Sequence, residues 1–164
     1  MSVRRRDRSD AKTPVLIGWS ELVDLPDWHI RGLRAKIDTG ARSSALHVDN
    51  IEPLPRNHIR YQVVLHRDDH DRRVNVVARI SRRARVRSST GEYTVRYFVK
   101  TRLRLAGVER EIEVSLVDRV DMTFRMLVGR TALAGRFHVD PGHKNLGLRA
   151  LRAARRKAPR RTET

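Results

Sequence analysis

The chain has 164 residues, 36 Lys+Arg against 19 Asp+Glu for a net charge of +17, and no cysteine. That length fits about one domain with one core. The missing cysteine excludes disulfides and thiolate metal sites. No apolar run approaches a membrane span, and the charged first residues lack the apolar stretch of a secretory signal. The expectation is a soluble, cytoplasmic protein.

The charge is uneven: +3 in residues 1–13 and +6 in residues 149–164, leaving +8 for residues 14–148. Residues 1–13 have little to bury and read as a disordered basic tail. Residues 14–148 read as one domain. Residues 149–164 read as a second basic tail, either a short helix or a segment ordered only by a partner. Such charge attracts polyanions without specifying which one.

Within the middle, Val15, Leu16, Ile17 and Trp19 open an apolar run that ends near Leu25–Pro26. Residues 33–37 form a second, shorter run. Residues 59–66 and 74–80 gather β-branched side chains on either side of the knot HRDDHDR, the pattern of two strands joined by a charged turn. His66, Asp68, Asp69, His70 and Asp71 sit in that turn. Consecutive turn residues rarely converge on one metal, so neither metal nor cofactor is expected.

Residues 93–105 alternate. Tyr93, Val95, Tyr97 and Val99 share one face with Leu103 and Leu105, and charged residues dominate the other. Ala106–Gly107 turns the chain, and Ile112, Val114 and Leu116 alternate back, which predicts a hairpin with one buried face. Residues 126–128 form a short strand ended by Gly129, followed by a helical turn near residues 131–134. Residues 137–139 form a last strand closed by Asp140–Pro141–Gly142. Many short strands with little helix predict an all-β fold, a closed or nearly closed β-barrel with one short helix.

Two motifs carry chemistry. Asp38–Thr39–Gly40–Ala41 follows the apolar run directly, so a carboxylate is presented in a tight loop. The Thr39 hydroxyl is available to brace that loop, and Gly40 allows a close backbone approach. An ordinary β-turn would use the same residue types. The second motif is Met126–Leu127–Val128–Gly129–Arg130–Thr131–Ala132–Leu133. Together, in this order, they resemble the retropepsins. AKIDTGARSSALH, VRSSTGE and MLVGRTALAGRFHVDP, spread over residues 15–148, resemble a bacterial retropepsin-like family often labelled ATP-dependent zinc protease. Some members of that family are fused to, or lie beside, ATP-grasp amino-acid ligases. One branch is linked to trimming glutamate tails on a ribosomal protein.

The resemblance implies Asp38, Thr39 and Gly40 as the catalytic loop. It implies Ala41, Arg42, Ser44, His47, Arg87, Ser88 and Ser89 as substrate contacts, His47 being equally readable as a structural hydrogen-bonder. Gly129 and Arg130 would support the site, Arg130 through a buried ion pair at a dimer interface. A flap hairpin is expected around residues 85–93. Neither half of the family label finds a motif here: there is no H-E-x-x-H and no G-x-x-x-x-G-K-[ST].

Aspartic proteolysis needs two carboxylates that share one proton. Only one D-[TS]-G is present. The second acid would therefore come from another copy, and a homodimer is expected. Arg42, Arg85, Arg87 and Arg130 lie in or beside the motifs; if they line the cleft, the expected substrate is acidic, such as a glutamate-rich peptide, because guanidinium groups pair bidentately with carboxylates. The ribosome and an ATP-grasp ligase are further candidate partners, and no membrane is. The competing reading is a non-catalytic module that keeps the scaffold and binds ribosome, RNA or protein.

Overall fold

A computed structural model describes residues 12–69, 71–87, 90–118 and 121–158. The elements in chain order are β1 (Val15–Leu25), a 3₁₀ turn (Pro26–Trp28), β2 (Ile30–Ile37), β3 (Ser44–Leu54), β4 (His58–Val64), β5 (Arg73–Arg87), β6 (Tyr93–Leu105), β7 (Val108–Val117), β8 (Met126–Val128), α1 (Arg130–Leu133), β9 (Phe137–Lys144) and α2 (Leu146–Lys157).

Nine strands form one sheet in the order β4-β5-β6-β7-β3-β8-β2-β1-β9. Two further pairings, β4 with β3 and β6 with β1, close parts of that order into rings of strands. The inward positions supply the core. Ile17, Leu25, Leu46, Ile59, Tyr61, Val99 and Val114 are fully buried there. Trp28 of the 3₁₀ turn meets Tyr61 edge-on, with ring centroids 5.8 Å apart. Alternation explains most of the pattern, because a strand with one buried face exposes every second residue. No helix among the described residues is long and apolar enough to cross a membrane.

Four expectations are corrected. First, β3 occupies residues 44–54, where no strand is expected. Its first half pairs with β7 and β8 and its second half with β4, across a register shift between Asp49 and Glu52. A strand that changes neighbours midway has no single alternation to detect. Second, β5 runs on to Arg87 rather than stopping at Ile80. Its outer half is arginine-rich and is held by backbone pairing to β6, so it has no apolar stripe. On β6 itself only residues from Phe98 onward are buried, and Tyr93 and Val95 stay more than half exposed.

Third, β9 does not end at Asp140–Pro141–Gly142 but continues to Lys144. It lies at the end of the strand order, and an edge strand tolerates a proline that cannot donate to a ladder. Fourth, the short helix that was one of two alternatives for residues 149–164 forms as α2, begins earlier, at Leu146, and is docked. The expected boundary between residues 148 and 149 falls inside it. Its first turn packs on β1 through the buried Glu21 carboxylate, whose Oε1 accepts N–H groups from Gly18 at 2.8 Å and Gly147 at 3.0 Å. Gly147 is glycine because a Cβ there would lie 2.4 Å from the Cβ of Ala106.

Candidate active site

β2 and β8 run parallel, and Ile37 stands beside Val128 at the ends of both strands. The next residue is Asp38. Its backbone N–H donates to the Val128 carbonyl at 2.9 Å, so the loop leaves the sheet from a fixed point. Asp38 Oδ1 then accepts the N–H groups of Gly40 at 3.0 Å and Ala41 at 3.1 Å. The carboxylate thus folds its own loop and is held by it. Both Thr39 and Gly40 are exposed, and Asp38 is half-buried.

The segment after β8 locks onto this loop. Arg130 N–H donates to the Ala41 carbonyl at 2.8 Å, and Thr131 N–H to the Arg42 carbonyl at 3.1 Å. The Thr131 hydroxyl donates to that same carbonyl at 3.0 Å. Gly129 N–H donates to the Ser44 hydroxyl oxygen at 3.1 Å. No side chain fits at position 129, because a Cβ would lie 2.5 Å from the carbonyl oxygen of Ser43. The two motifs, 91 positions apart in sequence, therefore form one hydrogen-bonded unit. Thr131 is the member that sequence reasoning missed. Its signal was its place directly after Gly-Arg, where a hydroxyl can reach back to the facing loop.

The expected contacts divide. Asp38, Thr39, Gly40, Ala41 and Arg42 share this loop, with Gly129 and Arg130 against it. Ser44 does not reach outward: it is 1% exposed, bonded to Gly129, and its carbonyl lies 3.2 Å from the hydroxyl of Ser115. For His47, the alternative of a structural hydrogen-bonder fits its surroundings. It is 2% exposed, with Nε2 3.7 Å from Asp49 Oδ1, and Asp49 also pairs with Arg73 at 3.1 Å. Both sit on β3, inside the sheet, so their polar groups serve the interior.

Thr39 makes no hydrogen bond among the described residues, and the brace expected of its hydroxyl is supplied by Asp38, Arg130 and Thr131. Gly40 has no left-handed backbone, so the turn does not require glycine. Arg130 is exposed in the single chain and has no acidic partner among the described residues. Arg87 ends β5 on the exposed hairpin, its guanidinium 5.9 Å from the Tyr93 ring centre. Ser88 and Ser89 lie outside the described residues.

Two hollows flank the loop. One, about 550 Å³, is lined by Thr39, Arg130, Leu133, Ala134, Phe137 and Val139 and is mostly apolar. The other, about 610 Å³, is lined by Arg42, Ser43, Thr131, Arg82, Phe98 and Glu113. In that second hollow, burial pushes the Glu113 carboxyl up, but hydrogen bonds from Arg82 and Ser81 outweigh it and hold the pKa below the ordinary value. Asp140, a later acid, is committed elsewhere. The Gly142 N–H and then His143 bind its carboxylate and lower its pKa.

Residues 6–149 match a RimB-like family described as retropepsin-like aspartic endopeptidase RimB. A probable alpha-L-glutamate ligase of Parasynechococcus marenigrum (strain WH8102) is 36% identical over 91% of this chain and 33% of its own length. One of the same description from Shewanella halifaxensis (strain HAW-EB4) is 32% identical over 77% of this chain and 28% of its own. The chain therefore spans about a third of the curated relatives it matches. Among solved structures, a protein of unknown function from Legionella pneumophila superposes with a TM-score of 0.68 at 24% identity, covering 82% of this chain and 99% of that one. That likeness concerns the fold.

Proposed function

The chain belongs to the RimB-like family of retropepsin-like aspartic endopeptidases, and from that premise we propose that it is an aspartic peptidase acting as a homodimer, with Asp38 as each copy's catalytic carboxylate. One observation carries the reading. Asp38 stands where two parallel strands end, fixed by Gly40 and Ala41 amides and buttressed by the Gly129–Thr131 segment. We read the rings of strands as a closed barrel of the retropepsin kind, which sets that loop at one edge.

Two such carboxylates brought face to face cannot both ionise and would share one proton. The ionised one takes a proton from a water whose oxygen attacks the peptide carbonyl carbon. The protonated one hydrogen-bonds the carbonyl oxygen as charge grows on it. Collapse of the tetrahedral species breaks the C–N bond, and the proton first taken from water leaves with the amine. The apolar hollow beside Thr39 supports a second copy as the supplier of the other carboxylate. The β5–β6 hairpin supports a flap that excludes water over the site.

An acidic peptide is the proposed substrate. Exposed Arg42, Arg85, Arg87 and Arg130 in or beside the motifs support it, and so does the glutamate-joining name of the longer relatives. The test is hydrolysis of a glutamate-rich peptide at mildly acid pH. Asp38→Asn should lower the rate by about 10³-fold or more, and chelators should leave it unchanged. Full activity in that variant would overturn the reading.

A second reading, a non-catalytic module binding RNA, ribosome or protein, has one observation in its favour. α2 carries Arg149, Arg152, Arg155, Arg156 and Lys157 and no acid. Polyanion binding lost on neutralising those five, together with no hydrolysis of any acidic peptide, would select it.

A further inference from the structure

The β5–β6 hairpin outgrows the sheet. β4 pairs with β5 only over residues 73–79, and β7 with β6 only over residues 98–105. Beyond the Arg82–Phe98 pair the two strands continue together to Arg87 and Tyr93 with no third strand beside them among the described residues. The result is a two-stranded arm.

The two strands of the arm treat their core-side face differently. β6 alternates without interruption, so Tyr93, Val95 and Tyr97 share a face with the buried Val99, Thr101, Leu103 and Leu105. On the arm that face emerges, and Tyr93 is 58% and Val95 52% exposed. β5 breaks its alternation. Val76 and Ile80 face the core, and unbroken alternation would add Ala84 and Val86 to the same side. Instead Ile80 pairs with Val99 and Arg82 with Phe98, so Ser81 is an extra residue in β5. A one-residue bulge moves every later side chain to the opposite face. It sets Arg83, Arg85 and Arg87 opposite Tyr97, Val95 and Tyr93.

The bulge is pinned. Ser81 Oγ lies 3.0 Å from the Phe98 carbonyl oxygen and 2.9 Å from Glu113 Oε2. Arg82 donates from Nε and one terminal nitrogen to Glu113 Oε1, at 3.0 and 2.8 Å. Its guanidinium also lies 3.6 Å over the Phe98 ring. The structure thus fixes a column of three guanidiniums beside a Tyr-Val-Tyr column, and none of the three arginines has a carboxylate partner among the described residues.

Same-face side chains of a strand recur about every 6.6–6.8 Å. An extended peptide laid along the arm presents its own alternate side chains at that same repeat. We propose that this face binds an extended acidic peptide with carboxylates at every second position, each received by one of Arg83, Arg85 and Arg87. This deepens the peptidase reading, since it rests on that reading for the substrate class, but it requires no hydrolysis. The ring faces argue against single-stranded nucleic acid, whose bases need open aromatic platforms. Arg83 already stands 5.8 Å from the Tyr97 ring centre, and Arg85 stands 4.8 Å and Arg87 5.9 Å from that of Tyr93.

The test is fluorescence anisotropy on the full chain carrying Asp38→Asn, at one fixed salt concentration. The probes are a Glu-Thr repeat peptide, a peptide of equal composition with its glutamates in one block, and a single-stranded oligonucleotide. Arg83→Gln, Arg85→Gln and Arg87→Gln are combined in one variant. Arg149→Gln, Arg152→Gln and Arg156→Gln on α2 form a charge-matched control. Each exposed pair contributes a few-fold, so the arm variant should weaken the repeat peptide by about tenfold. The control should change it less than about twofold, and the block peptide should bind more weakly than the repeat. Equal losses in both variants would reduce the effect to net charge and overturn the proposal. An oligonucleotide that outcompetes the peptide for the arm would overturn it in favour of nucleic acid. Intact arm binding with no cleavage by the unaltered protein would sink the peptidase reading alone. With Asp38 restored, cleavage that survives the three arm substitutions unchanged would sink this one alone.

Discussion

Glu21 and Gly147 meet across 126 positions of chain: the Glu21 carboxylate accepts the Gly147 N–H at 3.0 Å in a buried contact. The same oxygen, Oε1, also accepts the Gly18 N–H. One acid therefore ties β1 to the first turn of α2, where a helix has spare N–H groups and favours negative charge. It fixes a helix that has no side-chain cap of its own.

This geometry separates two substitutions. Glu21→Gln keeps a carbonyl oxygen where Oε1 stands and loses only the charge, so it should cost under about 1 kcal/mol. Glu21→Ala leaves two buried N–H groups unpaired, at about 1–3 kcal/mol each. Chemical denaturation should show Ala well below Gln. Amide exchange in the first turn of α2 should quicken in the Ala variant. Equal stability of the two would mean that the hydrogen bonds are not what holds the helix.

The two glycines of the site should also part company. At position 129 a Cβ would stand 2.5 Å from one backbone atom of Ser43 and 2.6 Å from another. Backbone cannot swing aside as a side chain can, so Gly129→Ala should cost about 1–3 kcal/mol and displace the Asp38 loop. At position 40 a Cβ would meet only Asp38 Oδ1, at 3.3 Å. Gly40→Ala should melt near the unaltered protein. A fall in the proposed peptidase activity despite that melting point would point to crowding by the proposed second copy. A melting point for Gly129→Ala equal to that for Gly40→Ala would refute the argument.

The sequence made some of this legible and hid the rest for physical reasons. Tyr93–Leu105 and Met126–Val128 carry one alternation or one apolar run each, and their bounds match the expected ones. The join between Asp38 and Gly129 was legible only through the resemblance the two motifs carry, because no local pattern links segments 91 positions apart. Ser44 was hard to place because its partner, Gly129, lies 85 positions away and meets it only when the sheet is assembled, whereas His47 and Asp49 stand two residues apart on β3 itself. The outer half of β5 was hidden by the Ser81 bulge, which breaks the period that pattern reading relies on. The docking of α2 was hidden because it turns on one acid far away in the chain.

Acid should loosen the base of the arm. The Glu113 pKa is depressed from an ordinary 4.5 by its hydrogen bonds to Arg82 and Ser81, which outweigh the opposing effect of burial. A depressed carboxylate pKa contributes stability that is present above the unfolded value and is lost as pH falls through the folded one. Melting temperature should therefore decline as pH drops below about 4.5, with Asp27, held low by the Arg102 backbone N–H and then its side chain, contributing in the same direction. Glu113→Gln should reduce the steepness of that decline. An unchanged acid limb in that variant would show that Glu113 does not support the fold through its charge.

Self-association can be tested without touching the Asp38 loop. Ala134 is exposed and lines the apolar hollow with Thr39 and Arg130. Ala134→Arg adds a second cation beside Arg130 and fills space that a partner copy would occupy. Its side chain points to solvent in the single chain, so the fold should survive within about 0.5 kcal/mol, as surface changes usually do. Dimerisation should weaken by tenfold or more, about 1.4 kcal/mol, in sedimentation equilibrium. Specific activity should then rise with protein concentration far more steeply than in the unaltered chain, because each active centre would, on the proposed mechanism, need two copies of Asp38. A variant that stays monomeric yet cleaves at full rate would show that one carboxylate suffices, and the shared-proton mechanism would fall with the dimer.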